Sequence, residues 1–294
     1  MPHNKKTLKF SYIIGSYHFV ETKYFMNHGL SNTFLYTACR LTSIFKCQET
    51  GKLIPRSGTA FFVTNKMGQV CLVTNRHLVD IDYKKSTPKY KTFVLTSLII
   101  DNRQYDSETG LPTKIIELEI ENLNALRFSQ TYENDIACIV DVKITGSESK
   151  EIAFSIDYNF IADNEKINSK LSVCDFVAYP GFPDWYDKLN NNPILRTGTI
   201  ASDPRFNYSY KTETNGECIA FEAFSFGGSS GSPVFAIQKG FPTSGAIQAD
   251  ENFYRPVMFI GINAEHLSVD GPDKQHAGIS LMYKSSAILD IIDK

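Results

Sequence analysis

The 294-residue chain carries little net charge: 30 Lys and Arg against 32 Asp and Glu, for a formal −2. A broad basic surface for nucleic acid is therefore not expected. No apolar run reaches the roughly 18–20 residues of a membrane span. Tryptophan occurs once, and the six cysteines are Cys39, Cys47, Cys71, Cys138, Cys174 and Cys218. None of them forms a Cys-x-x-Cys pair, so zinc and dithiol redox motifs are not indicated, and neither a metal nor a cofactor is expected. A chain this long buries enough core to hold without disulfides. Cys71 and Cys138 lie inside apolar runs and read as small buried hydrophobes. Low-complexity tracts and internal repeats are not evident. Lys5, Lys6 and Lys9 precede an apolar stretch, but Ser11, Tyr12, Gly15, Ser16, Tyr17 and His18 interrupt it. Residues 1–32 are thus read as an N-terminal extension rather than a cleaved leader.

What the chain does have is 21 Phe, 15 Tyr and many β-branched residues, a composition that favours strands. From Phe34 onward, short apolar runs alternate with turn residues. Phe34–Phe45 reads as a strand. Gly58–Val63, a turn at Asn65–Gly68 and Gln69–Thr74 read as a hairpin. Thr92–Ile100, Ile115–Ile120 and Ile136–Val142 follow. The polar segment Thr145–Glu151 reads as a linker. Beyond it, Asp175–Tyr179, Leu195–Ser202, Glu217–Phe224, Pro233–Ile237, Pro256–Asn263 and Gly278–Tyr283 are further strands. Ser285 is expected to N-cap a terminal helix, Ser286–Asp293, that buries Ala287, Ile288, Ile291 and Ile292. The expectation is an all-β pair of barrels or sandwiches with one C-terminal helix. The division is an extension 1–32, a first unit 33–145 and a second unit 146–294.

Three places carry candidate chemistry. Phe226–Phe235 (FGGSSGSPVF) packs Gly227, Gly228 and Gly231 around serines. Such a loop suits convergent backbone N–H groups around an exposed side chain, although alone it also fits a plain flexible turn. Leu72–Val79 (LVTNRHLV) ends a strand and sets His77 in the following turn, where a structural histidine is the ordinary alternative. Glu133–Val140 (ENDIACIV) puts Asp135 at a strand start, where a turn aspartate is equally ordinary. Together the three supply a hydroxyl nucleophile, a base and a carboxylate that orients the base, in the order His77, Asp135, Ser230.

Those segments, with FIGIN and GISLMYKSSAILDII behind them, resemble the chymotrypsin-like serine peptidases. The nearest likeness is to bacterial trypsin-like enzymes of the HtrA and glutamyl-endopeptidase types, and VAYPGFPDWY…PILRTGTIAS adds to it. The resemblance covers residues 35–294. It implies two six-stranded antiparallel β-barrels with the site in the cleft between them. It makes Ser230 the nucleophile, His77 the acid–base group and Asp135 its orienting carboxylate. The N–H groups of Gly228 and Ser230 would form the oxyanion hole. Phe224, Ser225, Asn263 and Ala264 would line the substrate pocket.

The departures also carry information. Leu78 and Phe226 stand where vertebrate relatives have cysteines, which fits a reducing compartment, here the cytoplasm. No activation cleavage site is recognisable, so the oxyanion loop must be ordered some other way, and no PDZ domain is expected after Lys294. Asn263 replaces the histidine with which glutamyl endopeptidases read an acidic side chain. Phe224 stands where a trypsin would have aspartate. A small or apolar residue is therefore expected before the cleaved bond. The implied partner is a protein or peptide substrate, with room for a regulatory partner. Two other readings remain. One is a catalytically silent trypsin-fold scaffold. The other is an α/β-hydrolase using Ser229 in Gly-x-Ser-x-Gly, with Asp270 and His276.

Overall fold

The computed structural model describes residues 13–14, 30–85, 88–106, 112–146, 152–240, 254–268 and 276–294. Most of the extension 1–32, residues 147–151 of the expected linker, and Asp270 lie outside them.

The first half is built on a long antiparallel sheet. Its strands are β2 (Ala38–Cys47), β3 (Leu53–Thr64), β4 (Val70–Thr74), β5 (Phe93–Tyr105), β6 (Pro112–Glu119), β7 (Leu126–Phe128) and β8 (Ala137–Ile139), in the order β6-β5-β2-β3-β4-β8-β7. A short strand β9 (Ser155–Ile156) pairs parallel with β3 and with the two-residue β1 (Ile13–Ile14). The expected hairpin forms. Asn65 Oδ1 accepts from the N–H groups of Met67 (3.0 Å) and Gln69 (2.9 Å), and Gly68 takes φ +75°. An asparagine that bonds its own downstream backbone, followed by a glycine, is what a tight reversal needs.

Residues Asn32–Thr37 form a 3₁₀ helix where a strand was expected from Phe34, and the strand begins at Ala38. Ser31 caps that helix, and Phe34 turns inward edge-on to Phe235, with ring centroids 5.0 Å apart. Core packing of one aromatic ring overrides the β propensity of the run.

The second half is a closed barrel of six antiparallel strands: β10 (Phe176–Gly181), β11 (Ile194–Ile200), β12 (Cys218–Glu222), β13 (Pro233–Ala236), β14 (Met258–Ser268) and β15 (His276–Lys284). The all-β expectation with a C-terminal helix holds. That helix, α3 (Ser285–Ile292), follows a four-residue α1 (Arg76–Val79) and a seven-residue α2 (Asn164–Lys170). Helix α3 buries Ala287, Ile288, Ile291 and Ile292 as expected. Ser285 does not cap it. Lys284 holds the N-cap position, and the Ser285 hydroxyl donates to the Ala162 carbonyl at 2.5 Å. A buried hydroxyl needs a partner, and the neighbouring loop supplies one. No helix among the described residues is long and apolar enough to cross a membrane.

Each half has its own core. Leu41, Phe62, Leu98 and Ile139 centre one, and Tyr179, Phe221, Val234 and Ile260 the other. A third cluster is shared. Phe61, Val73 and Cys138 of the first half pack against Phe235, Phe259, Tyr283 and Ile288 of the second. Dense packing of this kind transmits position, so the shared cluster holds the two halves against each other.

All six cysteines are free, and Cys174 alone is exposed. Burial pushes the Cys39 thiol up to about 12 and the Cys71 and Cys218 thiols up to about 11, and it raises Cys138 as well. Because the thiolate is the reactive form, iodoacetamide at pH 8 should modify Cys174 in the native protein and spare these four. Peptide mapping checks this, and rapid loss of Cys71 or Cys138 before unfolding would contradict the packing described.

Candidate active site

His77 rides on α1, directly after β4. Asn75 precedes the helix, and its side-chain amide donates to the Asp135 carbonyl at 2.7 Å. Arg76 anchors the same turn. It pairs with Asp80 (2.9 Å), and its guanidinium lies 4.3 Å from the Phe128 ring centroid and 4.6 Å from that of Tyr83. Such stacking holds a short helix that its own hydrogen bonds could not.

Asp135 meets His77 twice. The backbone N–H of His77 donates to Oδ1 at 2.9 Å, and ring Nδ1 lies 2.5 Å from Oδ2. A carboxylate only accepts, so Nδ1 is the ring nitrogen that carries a proton here, and in the neutral ring Nε2 is then the acceptor. The Asp135 side chain is 11% exposed, while that of His77 is 34% exposed. The carboxylate is thus screened from water, and the imidazole is not.

The aspartate's own segment is tied to the second half. Asn134 Nδ2 donates to Glu217 Oε1 at 3.0 Å, and the Glu217 N–H returns to Asn134 Oδ1 at 2.8 Å. The hydroxyl groups of Tyr83 and Tyr283 reach the carbonyls of Tyr132 (2.7 Å) and Glu133 (2.8 Å). Burial, followed by the Asp135 charge, drives both phenols well above their ordinary range, so both remain donors.

Ser230 sits in the loop before β13. Thr59, on β3, holds this loop. Its N–H donates to the Ser230 carbonyl (2.9 Å), and its hydroxyl donates to the Gly228 carbonyl (2.8 Å) while accepting from the Phe182 N–H (3.0 Å). The Thr59 carbonyl accepts from Thr74, three residues before His77. One residue of the first sheet therefore ties the serine loop to the end of β4 that carries the histidine.

Within the loop, the Ser229 N–H donates to Phe226 O, the Gly231 N–H to Asn263 O and the Ser232 N–H to Ser229 O. Among the described residues, the N–H groups of Gly228 and Ser230 have no acceptor. They are the two that the resemblance assigns to an oxyanion hole. Asp184 donates to the Gly227 carbonyl at 2.9 Å, on the opposite side of the peptide plane from the Gly228 N–H. Gly228 and Gly231 have φ +86° and +87°, and a Cβ at either would collide with backbone carbonyls, those of Phe182 and Thr59 respectively. Both positions require glycine.

The Ser230 hydroxyl donates to the Ala264 carbonyl at 3.1 Å, and no hydrogen bond joins it to His77. Of the other residues expected around the substrate, Phe224 is 54% exposed and lies 5.0 Å from the ring of His276. Ser225 is buried, its N–H donating to His276 Nε2 and its hydroxyl bonded to Ser280. Asn263 is buried and holds the Ser229 carbonyl at 2.9 Å. Ser229 is 1% exposed and its hydroxyl has no partner. The loop runs on into strand β13, so the strand-to-helix elbow of an α/β-hydrolase is absent here. No group of three or more His, Cys, Asp or Glu among the described residues is arranged to hold a metal.

No family model and no curated protein matches the sequence. Among solved structures, the protease Anisep from Arthrobacter nicotinovorans is similar with a TM-score of 0.50, at 13% identity over 88% of this chain and 96% of that one. The thermostable serine protease AL20 from an extremophilic microorganism gives a TM-score of 0.49, at 14% identity over 89% and 97%. The fold is chymotrypsin-like. Within that fold, Thr59, Asn75 and Asp184 are contributors that the sequence reading missed. Thr59 left one trace, a hydroxyl inside an apolar strand. Asp184 acts through its backbone and left none.

Proposed function

We propose that the protein is a serine endopeptidase that cleaves peptide bonds through an acyl-enzyme. Ser230 Oγ attacks the scissile carbonyl carbon while His77 Nε2 takes its proton, and the C=O electrons move onto oxygen. The N–H groups of Gly228 and Ser230 receive that oxyanion. The amine leaves with the proton from His77, and water repeats the sequence to release the acid. The observation that carries this reading is the pair of hydrogen bonds from His77 to Asp135, which favours the tautomer that a general base requires. The exposed Phe224 supports a small or apolar residue before the cleaved bond. The six free thiols support a reducing compartment such as the cytoplasm.

A fluorophosphonate probe should label Ser230 alone, and His77→Ala should abolish the labelling. Labelling at Ser229, or none in the wild type with and without peptide, would overturn the proposal. One observation favours a second reading, a scaffold that binds without cutting: the Ser230 hydroxyl rests on Ala264. On the first reading it must rotate toward His77, and this is the step that a bound substrate or a regulatory partner would favour. The same probe separates the two, because a silent scaffold stays unlabelled with and without peptide.

A further inference from the structure

Position 263 is where the resemblance looks for a side chain that reads the substrate. Its geometry here serves something else. Asn263 is 1% exposed, and three of its groups are spent on the serine loop. Its N–H donates to Ser232 O (2.9 Å), its carbonyl accepts from the Gly231 N–H (3.0 Å), and its side-chain Nδ2 donates to Ser229 O (2.9 Å). The carboxamide oxygen has no partner, so the donor end alone sets how the amide lies.

The bond to Ser229 O matters because of the peptide it belongs to. In a planar trans peptide the C=O and the next N–H point in opposite directions. Holding Ser229 O from one side aims the Ser230 N–H to the other, and that N–H has no acceptor among the described residues. Among the described residues, the one other donor to Ser229 O is the Ser232 N–H, at a longer 3.2 Å. The residues on either side of this peptide are a buried serine and the proposed nucleophile, and neither braces it with a side chain.

We infer that Asn263 is a positioning residue for the oxyanion hole and not a reader of the substrate side chain. This rests on the peptidase reading above. Asn263 sets the direction of the Ser230 N–H, and through it the stabilisation of charge that develops only in the transition state. A group that acts this way changes kcat and leaves KM and side-chain preference alone.

Asn263→Asp keeps the shape and removes the donor, and Asn263→Ala removes both. With a peptide library and steady-state kinetics, each should lower kcat about 100-fold, with KM within about threefold. The ranking of residues before the cleaved bond should be unchanged. Affinity for a peptide aldehyde that forms the tetrahedral adduct should fall in parallel with kcat/KM. A merely structural role would lower the melting temperature without this split. A changed ranking with kcat retained would make Asn263 a specificity residue and overturn the inference, as would unchanged kcat in a folded variant. If Asn263→Asp does not fold, Asn263→Ala carries the comparison. A wild type that takes no fluorophosphonate removes the peptidase reading first. In that case a crystal structure of Asn263→Ala decides: a rotated 229–230 peptide supports the positioning role, and an unmoved one refutes it.

Discussion

Asp135→Asn is expected to lower kcat about 10⁴-fold with little change in KM. Both oxygens of Asp135 accept from His77, one from the backbone N–H and one from the ring. An asparagine has one acceptor and one donor end. If its oxygen keeps the backbone N–H, its NH₂ faces ring Nδ1, which must then give up its proton. The proton moves to Nε2, and the ring offers the serine a donor where it needs an acceptor. If the amide is reversed, its NH₂ meets the His77 backbone N–H, and the short helix α1 is strained. The first arrangement keeps the fold and removes the base. Fluorophosphonate labelling should slow in step with kcat, and the melting temperature should move little. A loss of less than tenfold would mean that the tautomer is not what Asp135 controls.

Gly228→Ala is expected to cost 10²–10³ in kcat. Two independent effects act at this position. The backbone sits at φ +86°, where an L-residue is disfavoured by about 1–2 kcal/mol. The added methyl would also strike the Phe182 carbonyl, a backbone atom that cannot swing aside. The relief is rotation of the 227–228 peptide, which breaks the bond from Asp184 and turns the Gly228 N–H out of the cleft. Gly51→Ala is the natural control: its φ is +71°, but its Cβ would meet nothing within 4 Å, so it carries the backbone strain without the collision. It should leave kcat unchanged. Equal activity losses in the two variants would show that strain alone, and not the hole, is being measured.

The segments that repeat a local rule were legible in the sequence. The hairpin of β3 and β4 announced itself through Asn65 and Gly68, and α3 through its apolar face. The pieces that the sequence misplaced answer to distant partners. Phe34 leaves the strand because Phe235 lies across the core, and Ser285 serves Ala162 rather than its own helix. His77, Asp135 and Ser230 stood out because reactive residue types flanked apolar strands. The residues that orient them did not. Thr59 and Asn263 look like ordinary polar interruptions until the fold carries them to the serine loop. Side-chain rotation is also beyond a sequence, so the resting contact of Ser230 with Ala264 could not be anticipated.

Thr59 has a consequence for the life of the chain before it is fully folded. On the proposed reading, a peptidase that armed itself early would cut its own unfinished neighbours. The loop bearing Ser230 belongs to the second half, yet its carbonyls are gripped by a residue of the first. A chain whose N-terminal sheet is unformed, or has come loose, lacks that grip. On the proposed reading the attachment would work as an interlock, making cutting power depend on the assembly of both halves.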